Sequence, residues 1–199
     1  VIVACNTASS NSLEYLQEKF PIPVFGTVIP GAVEAARQTK NKRVGIIATA
    51  ATVRSGAYEK EIKNADSSIE VFSKACPLFV PLAEEGWSND EITYLTAKKY
   101  LEPLLAEGVD TVILGCTHYP LLKECIQKVV GENVTLIDPA YETAVRVDDY
   151  LNRNAMTRTV DKKPEYKFFV SDTTDTFDRI CSEALKRKFS AEEINIELF

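Results

Sequence analysis

The sequence has 199 residues, and the 45% that are hydrophobic are enough to build a packed core, which excludes an intrinsically disordered chain. The formal net charge of −6 and the sequence pI near 5.0 argue against a nucleic-acid partner, because the longest basic cluster is the short run at residues 40–43. No apolar stretch reaches the ~18 residues of a membrane-spanning helix, so a membrane partner is not expected either.

The predicted elements alternate between apolar strands and amphipathic helices along the whole chain. The predicted strands are residues 1–4, 23–27, 43–48, 69–74, 111–115, 134–137 and 166–171. The predicted helices are residues 10–20, 32–39, 52–64, 89–107, 121–130, 141–153 and 174–187. Strands of continuous Val, Ile and Leu, each followed by a helix, predict an α/β fold with mainly parallel sheets flanked by helices. Residues 154–164 are a candidate linker, and residues 193–199 a candidate short edge strand.

The first residues favour a chain that continues upstream. Val1 is not a methionine, and the run VIVAC reads as a buried strand already in progress. A domain rarely opens inside a core strand, so we expect further residues before Val1.

Five cysteines are present, namely Cys5, Cys76, Cys116, Cys125 and Cys181. Their number is odd, no pair has C-x-x-C spacing, and the single histidine, His118, cannot complete a usual zinc site. No metal is therefore predicted, and free thiols indicate a cytoplasmic location. We interpret Cys76, Cys125 and Cys181 as buried reduced thiols of the core.

A weak internal repeat relates the two halves of the chain. The segment VIVACNTASSN is followed by a helix, a strand and VIPGAVEAA, whereas VILGCTHYPLL is followed by a helix, a strand and IDPAYETAV. Cys5 and Cys116 lie 111 positions apart (116 − 5), and Pro30 and Pro139 follow them at similar offsets. The repeat predicts two pseudo-symmetric lobes with an active site in the cleft between them. Residues 1–26 with 138–199 would form the first lobe, incomplete at its start, and residues 27–137 the second. The alternative is that any two βα units look alike.

Each repeated cysteine follows a predicted strand and precedes a helix, the place where open α/β sheets bind ligands. Backbone N–H groups and the helix dipole are expected to stabilise a thiolate there and to lower the pKa of a thiol. Asn6 and Thr7 follow Cys5, and Thr117 and His118 follow Cys116. These side chains and the free amides could bind a carboxylate, although Asn and Thr are also common helix caps.

Two thiols on opposite walls of a cleft could act on opposite faces of one carbon. One thiolate would remove an α-proton while the opposing thiol returned a proton to the other face, which is the chemistry of stereoinversion. We expect the two sulfur atoms to face each other at roughly 6–8 Å, since each must reach the same carbon.

Four segments of the sequence resemble glutamate racemases of the aspartate/glutamate racemase superfamily. ACNTAS around Cys5 and LGCTHYPLL around Cys116 are similar to the two signature segments of that family. PLFVPLAEEG at residues 77–86 and GIIATAATV at residues 45–53 are similar to further segments. The resemblance runs from Val1 to about Arg146, and YKFFVSD still fits beyond it.

This resemblance implies interconversion of L- and D-glutamate without pyridoxal phosphate or another cofactor, supplying D-glutamate for peptidoglycan. It implies that Cys5 and Cys116 are the acid/base thiols, that His118 assists Cys116 and that Glu84, or alternatively Glu85, is the acidic site residue. The implied substrate-binding residues are Asn6, Thr7, Thr117, His118, Thr49 and Thr52. Thr49 and Thr52 would contact the substrate ammonium or carboxylate, or act as plain helix caps.

The sequence departs from the family at one point and leaves several alternatives open. An Asp-Ser-Gly segment, whose Asp assists the first cysteine, and a Tyr-Gly pair are not in these residues. We therefore expect Cys5 to lack an acidic partner, and the isolated chain to be poorly stable, prone to self-association and weakly active. The alternatives are an aspartate or hydantoin racemase, a one-cysteine decarboxylase, a non-catalytic binding module and a thiol redox protein. The GCTHYP segment disfavours the other racemases and the decarboxylase, and a homodimer remains open.

Overall fold

The computed structural model describes residues 1–160, 163–172, 175–186 and 190–198. Its strands are β1 (Ile2–Val3), β2 (Phe25–Gly26), β3 (Arg43–Ala48), β4 (Glu70–Ala75), β5 (Thr111–Gly115), β6 (Thr135–Ile137), β7 (Phe169–Val170) and β8 (Glu192–Glu193). Its α-helices are α1 (Asn6–Lys19), α2 (Val28–Gln38), α3 (Ala50–Ser55), α4 (Ala57–Ala65), α5 (Phe79–Glu84), α6 (Glu91–Ala106), α7 (Lys123–Val130), α8 (Pro139–Arg153) and α9 (Asp175–Leu185). Two 3-10 helices span Tyr119–Leu122 and Ile196–Leu198.

A four-stranded parallel sheet with the strand order β4-β3-β5-β6 forms the centre of the larger core. All residues of β5, and all of β3 except Arg43, are buried. Side chains from α5, α6 and α7 pack with one face of this sheet, and side chains from α2 and α4 pack with the other. Burial on both faces explains why these strands are continuous apolar runs rather than alternating ones.

The first cysteine segment belongs to a different sheet. Strand β1 pairs in parallel with β2, with Ile2 opposite Phe25, and these two strands form a sheet of their own. Strand β7 pairs in parallel with β8 (Glu192–Glu193) in a third sheet. The edge strand predicted over residues 193–199 was wrong beyond Glu193, since Ile196–Leu198 is a 3-10 helix and Phe199 lies outside the described residues. The prediction of an α/β fold with parallel sheets flanked by helices is confirmed. The proposed lobe boundaries stay a prediction.

Helices α1, α2 and α8 begin earlier than the sequence pattern predicts. Helix α1 begins at Asn6 instead of residue 10, α2 at Val28 instead of residue 32, and α8 at Pro139 instead of residue 141. The predicted starts were wrong because Asn, Thr and Pro read as loop residues. The first turn of a helix needs no N–H partner within the helix, so it accepts these residues.

The single helix predicted over residues 52–64 was also wrong. Two helices, α3 and α4, meet at Gly56, whose φ of +65° is the left-handed conformation that glycine adopts at little cost. Helix α5 was not predicted, because prolines stand before it and inside its first turn. The predicted helix 121–130 begins as a 3-10 turn, and Pro103 lies inside α6.

Parts of two predictions fall on residues that the structure leaves out. Residues 174 and 187 of the last predicted helix, and residues 161 and 162 of the candidate linker, lie outside the described residues, as does Phe199. Within the described ranges, no helix is long and apolar enough to cross a membrane. In the same part of the chain, no three His, Cys, Asp or Glu side chains are grouped to hold a metal ion.

Candidate active site

Cys5 and Cys116 occupy corresponding positions in two separate sheets. Cys5 is separated from β1 by Ala4 and is the N-cap residue of α1, whereas Cys116 directly follows β5. Both are free thiols, and Cys5 is exposed while Cys116 is 8% exposed. The Cys5 thiol is close enough to act electrostatically on Cys116 and raise its pKa. The two strand ends therefore bring the repeated cysteines near each other, and neither is in a disulfide.

The surroundings of Cys116 have opposing effects on the pKa of its thiol. Burial raises the pKa of the Cys116 thiol, while backbone N–H groups of His118, Thr117 and Tyr119 lower it. The net direction is upward, because removal from water outweighs the three amides. The expectation of a lowered pKa at this position was wrong for that reason. Cys116 rests as a protonated thiol in a setting that can also stabilise its thiolate.

His118 lies between Cys116 and Glu84. Its Nδ1 atom is 4.0 Å from the Cys116 sulfur, and its Nε2 atom is 3.1 Å from Oε1 of Glu84. The side chains of His118 and Glu84 are 30% and 43% exposed, so the pair is open on one side. Glu85 is the exposed C-cap residue of α5. Of the two acidic candidates, Glu84 is the one that contacts the histidine.

Three threonine hydroxyls form a triangle that joins the first cysteine segment to the larger sheet. Thr7 Oγ1 lies 2.9 Å from Thr49 Oγ1 and 3.0 Å from Thr52 Oγ1, and the latter two are 3.1 Å apart. Thr49 is also the N-cap residue of α3, because its hydroxyl accepts a hydrogen bond from the backbone N–H of Thr52. The capping interpretation is therefore correct for Thr49.

The side chain of Asn6 is 4% exposed, and its amide has a fixed set of partners. Its Oδ1 atom accepts hydrogen bonds from Thr27 Oγ1 at 3.0 Å and from the Tyr58 hydroxyl at 2.5 Å. Its Nδ2 atom has no hydrogen-bond partner among the described residues. In that part of the chain, every fully buried side-chain N or O atom has a partner, so Nδ2 is not fully buried. Nδ2 is therefore open to solvent or ligand, one residue after Cys5.

A pocket of about 660 Å³ lies beside the Glu84–His118 pair. Its lining includes Thr117 and Leu121 and a wall from α9 formed by Phe177, Ile180, Cys181 and Ala184. Arg179 of α9 donates a hydrogen bond to the backbone carbonyl of Glu84 and so joins this wall to α5.

The pocket corrects one expectation about the remaining cysteines. Cys181 is half-buried and lines the pocket, so the interpretation of it as a buried core thiol was wrong. Cys76 and Cys125 are buried as predicted. Sequence reasoning missed the α9 wall and Tyr58, because an amphipathic helix pattern does not reveal which surface its apolar side meets.

Comparison with known proteins places these residues in a family. The sequence profile described as Asp/Glu/Hydantoin racemase matches residues 1–147, which include both cysteine segments, the threonine triangle and Glu84. The chain belongs to this family. A glutamate racemase of Geobacter metallireducens is 48% identical over 188 residues, covering 94% of this chain and 70% of that protein. The chain is thus a racemase-family member whose relatives are glutamate racemases.

Solved structures agree with this assignment. A glutamate racemase isoform of Bacillus anthracis matches with a TM-score of 0.91 and 37% identity, covering 98% of this chain and 73% of that one. The glutamate racemase of Francisella tularensis, solved in complex with D-glutamate, matches with a TM-score of 0.91 and 35% identity, covering all of this chain and 74% of that one. The arrangement of parallel sheets flanked by helices is therefore that of glutamate racemases.

Proposed function

We propose that the chain interconverts L- and D-glutamate by proton transfer between the α-carbon and the thiols of Cys5 and Cys116. The observation that carries the proposal is the pair of free thiols, each just after a parallel strand in its own sheet, with Cys5 close enough to act on Cys116. D-glutamate in the Francisella tularensis relative supports the choice of substrate. The product would supply peptidoglycan synthesis in the cytoplasm.

In each direction, one cysteine acts as base and the other as acid. A thiolate removes the α-proton from one face, and the C–H electron pair is left on a carbanion stabilised by the adjacent carboxylate. The opposing thiol then donates its proton to the other face and becomes a thiolate. The two transfers invert the carbon and exchange the protonation states of the two cysteines, so that the reverse reaction starts from the product state. No cofactor is needed to balance the reaction.

His118 and Glu84 adjust the protonation of Cys116 in this scheme. When His118 donates its Nε2 proton to the Glu84 carboxylate, the neutral ring has an unprotonated Nδ1 that points toward the Cys116 sulfur. Burial keeps the proton on Cys116, which suits its role as acid, and Nδ1 can take up that proton when a thiolate is required. The three residues together let one buried thiol serve in both directions.

The substrate carboxylate groups need hydrogen-bond donors, because negative charge accumulates at the α-carboxylate as the proton leaves. The rotatable hydroxyls of Thr7, Thr49 and Thr52 and the free Nδ2 of Asn6 can supply them. Thr117 is exposed and lies in the wall of the pocket next to His118. These donors come from both cysteine segments, so a bound glutamate would contact both.

A turnover assay tests the proposal directly. The purified chain is incubated without added cofactor with L-glutamate, D-glutamate, L-aspartate and D-aspartate in turn, and the optical activity is followed. We expect both glutamate enantiomers to reach the same racemic end point while aspartate is unchanged. Turnover of aspartate in preference to glutamate would contradict the proposed substrate, and the absence of any turnover would contradict the proposed reaction.

A further inference from the structure

Tyr58 connects the two halves of the candidate site without lying on its surface. This α4 side chain is 2% exposed, and its hydroxyl donates a hydrogen bond to Asn6 Oδ1 at 2.5 Å, across a sequence separation of 52 residues. Its ring lies against the strand end that precedes Cys116, since a Cβ atom added to Gly115 would be 3.3 Å from Tyr58 Cε2. Tyr58 therefore contacts both cysteine segments.

The Tyr58 hydroxyl is a permanent donor in this position. Burial, together with the negative charge of Asp138, raises the pKa of Tyr58 far above its ordinary value. Within the part of the chain that the structure describes, this hydroxyl has no hydrogen-bond partner other than Asn6 Oδ1. A buried O–H without an acceptor is costly, so the Asn6 amide is held with its oxygen toward Tyr58.

Thr27, the second donor to Asn6, does not fix the orientation of the Asn6 amide. Its hydroxyl lies 3.0 Å from Asn6 Oδ1 and also 3.4 Å from Ser9 Oγ. A threonine hydroxyl can donate or accept, so it could accept from a rotated amide and donate to Ser9 instead. The orientation of the Asn6 amide therefore depends on Tyr58.

The orientation decides which Asn6 atom reaches the site. With Oδ1 held by Tyr58, Nδ2 is the free atom and can donate to a carboxylate. A rotation of 180° would place a carbonyl oxygen there, which repels a carboxylate. Resting on the proposed function, we propose that Tyr58 is a positioning residue that locks the Asn6 amide with Nδ2 toward the substrate carboxylate.

The first experiment replaces Tyr58 with phenylalanine, which keeps the ring and removes only the donor. We expect Tyr58→Phe to raise the KM for glutamate about tenfold and to change kcat less, because the substrate carboxylate is already charged when it binds, so the lost hydrogen bond mainly weakens binding. Tyr100→Phe is the matched control, since within the described ranges the hydrogen bond of the Tyr100 hydroxyl is the one it accepts from the backbone N–H of Leu78, at 3.3 Å. An unchanged KM in Tyr58→Phe would overturn the proposal.

The second experiment tests whether Tyr58 acts through Asn6. Asn6→Ala should raise the KM, and adding Tyr58→Phe to it should raise the KM no further. The double variant should also melt at a higher temperature than Asn6→Ala, because it no longer buries a hydroxyl without an acceptor. Additive increases in KM, or a double variant that melts lower than Asn6→Ala, would overturn the proposal. If the parent chain turns over no glutamate, the proposed function fails, while the melting temperatures still decide the Tyr58–Asn6 contact.

Discussion

Cys5 and Cys116 have the same place in the repeated motif but different surroundings, since one is exposed and the other is 8% exposed. The motif could be used to predict where both thiols lie, because a residue at the end of a parallel strand is fixed by backbone geometry. It could not be used to predict the raised pKa of Cys116, because burial depends on residues that pack from elsewhere. Local sequence thus indicates position better than protonation.

The Glu84–His118 contact leads to a prediction at this scale. Glu84→Gln keeps an oxygen 3.1 Å from His118 Nε2 but removes the charge that fixes the histidine proton on that atom. We expect kcat for glutamate racemisation to fall about tenfold with a smaller change in KM, measured by circular dichroism. Glu85→Gln is the control, because Glu85 is an exposed cap residue. Equal losses of kcat in the two variants would contradict a specific role of Glu84.

At the level of elements, the buried strands were predicted best. The predicted bounds 43–48 and 111–115 match β3 and β5, since a strand buried on both faces is a continuous apolar run with clear ends. Helix starts were predicted worst, as α1 and α2 show, because their first turns contain residues typical of loops. The missed starts matter for function, since Asn6 and Thr7 lie inside α1 rather than in a loop before it.

Asp110 supplies an element-scale prediction about stability. Its carboxylate, just before β5, accepts hydrogen bonds from Thr39 Oγ1 at 2.6 Å and from the backbone N–H groups of Lys40 and Asn41 at 2.7 and 2.8 Å. Burial acts to raise the pKa of Asp110, but these hydrogen bonds outweigh it and lower the pKa. We expect Asp110→Asn to lower the free energy of unfolding at pH 7 by roughly 2 kcal/mol, because hydrogen bonds to a charge are lost.

The pH dependence gives a second measurement of the same contact. A lowered folded-state pKa means that the stabilisation is present above the unfolded pKa of about 3.9 and is lost as pH falls through the folded value. Urea unfolding of the parent and of Asp110→Asn should therefore converge below pH 4. Glu132→Gln, at an exposed position, serves as the control. A difference that stays constant with pH would contradict the assignment to the Asp110 charge.

At the level of the whole molecule, the candidate site is assembled from separate sheets and from helices distant in sequence. Cys5 belongs to the β1–β2 segment, Cys116 to the four-stranded sheet, and the pocket wall to α9. The internal repeat predicted the first two, because each half carries its own motif. The contribution of α9 and the Tyr58–Asn6 contact could not be predicted, since both depend on tertiary packing between unrelated segments. A homodimer stays a prediction.

The stability of the whole molecule should fall at alkaline pH through Cys76. Burial raises the pKa of this thiol from 9.0 to about 12, with Lys74 acting in the opposite direction. A raised pKa means that the unfolded chain loses its proton first, so stability is full below pH 9 and is lost as pH rises toward 12. We expect the free energy of unfolding to fall about 1.4 kcal/mol more between pH 8 and pH 10 in the parent than in Cys76→Ala. The free energy of unfolding is measured with urea at each pH, and an equal fall in the parent and in Cys76→Ala would contradict this prediction.

Racemisation in D₂O distinguishes a mechanism in which Cys5 and Cys116 act on opposite faces of one carbon from proton transfer by a single base. Each glutamate enantiomer is turned over separately to low conversion, and the α-deuterium content of substrate and product is measured by mass spectrometry. We expect the product enantiomer to carry deuterium and the recovered substrate to keep protium, and we expect Cys5→Ser and Cys116→Ser each to lower the rate by ~10³-fold while still binding glutamate. Product that retains the original proton, or a serine variant with most of the parent rate, would contradict the two-thiol mechanism.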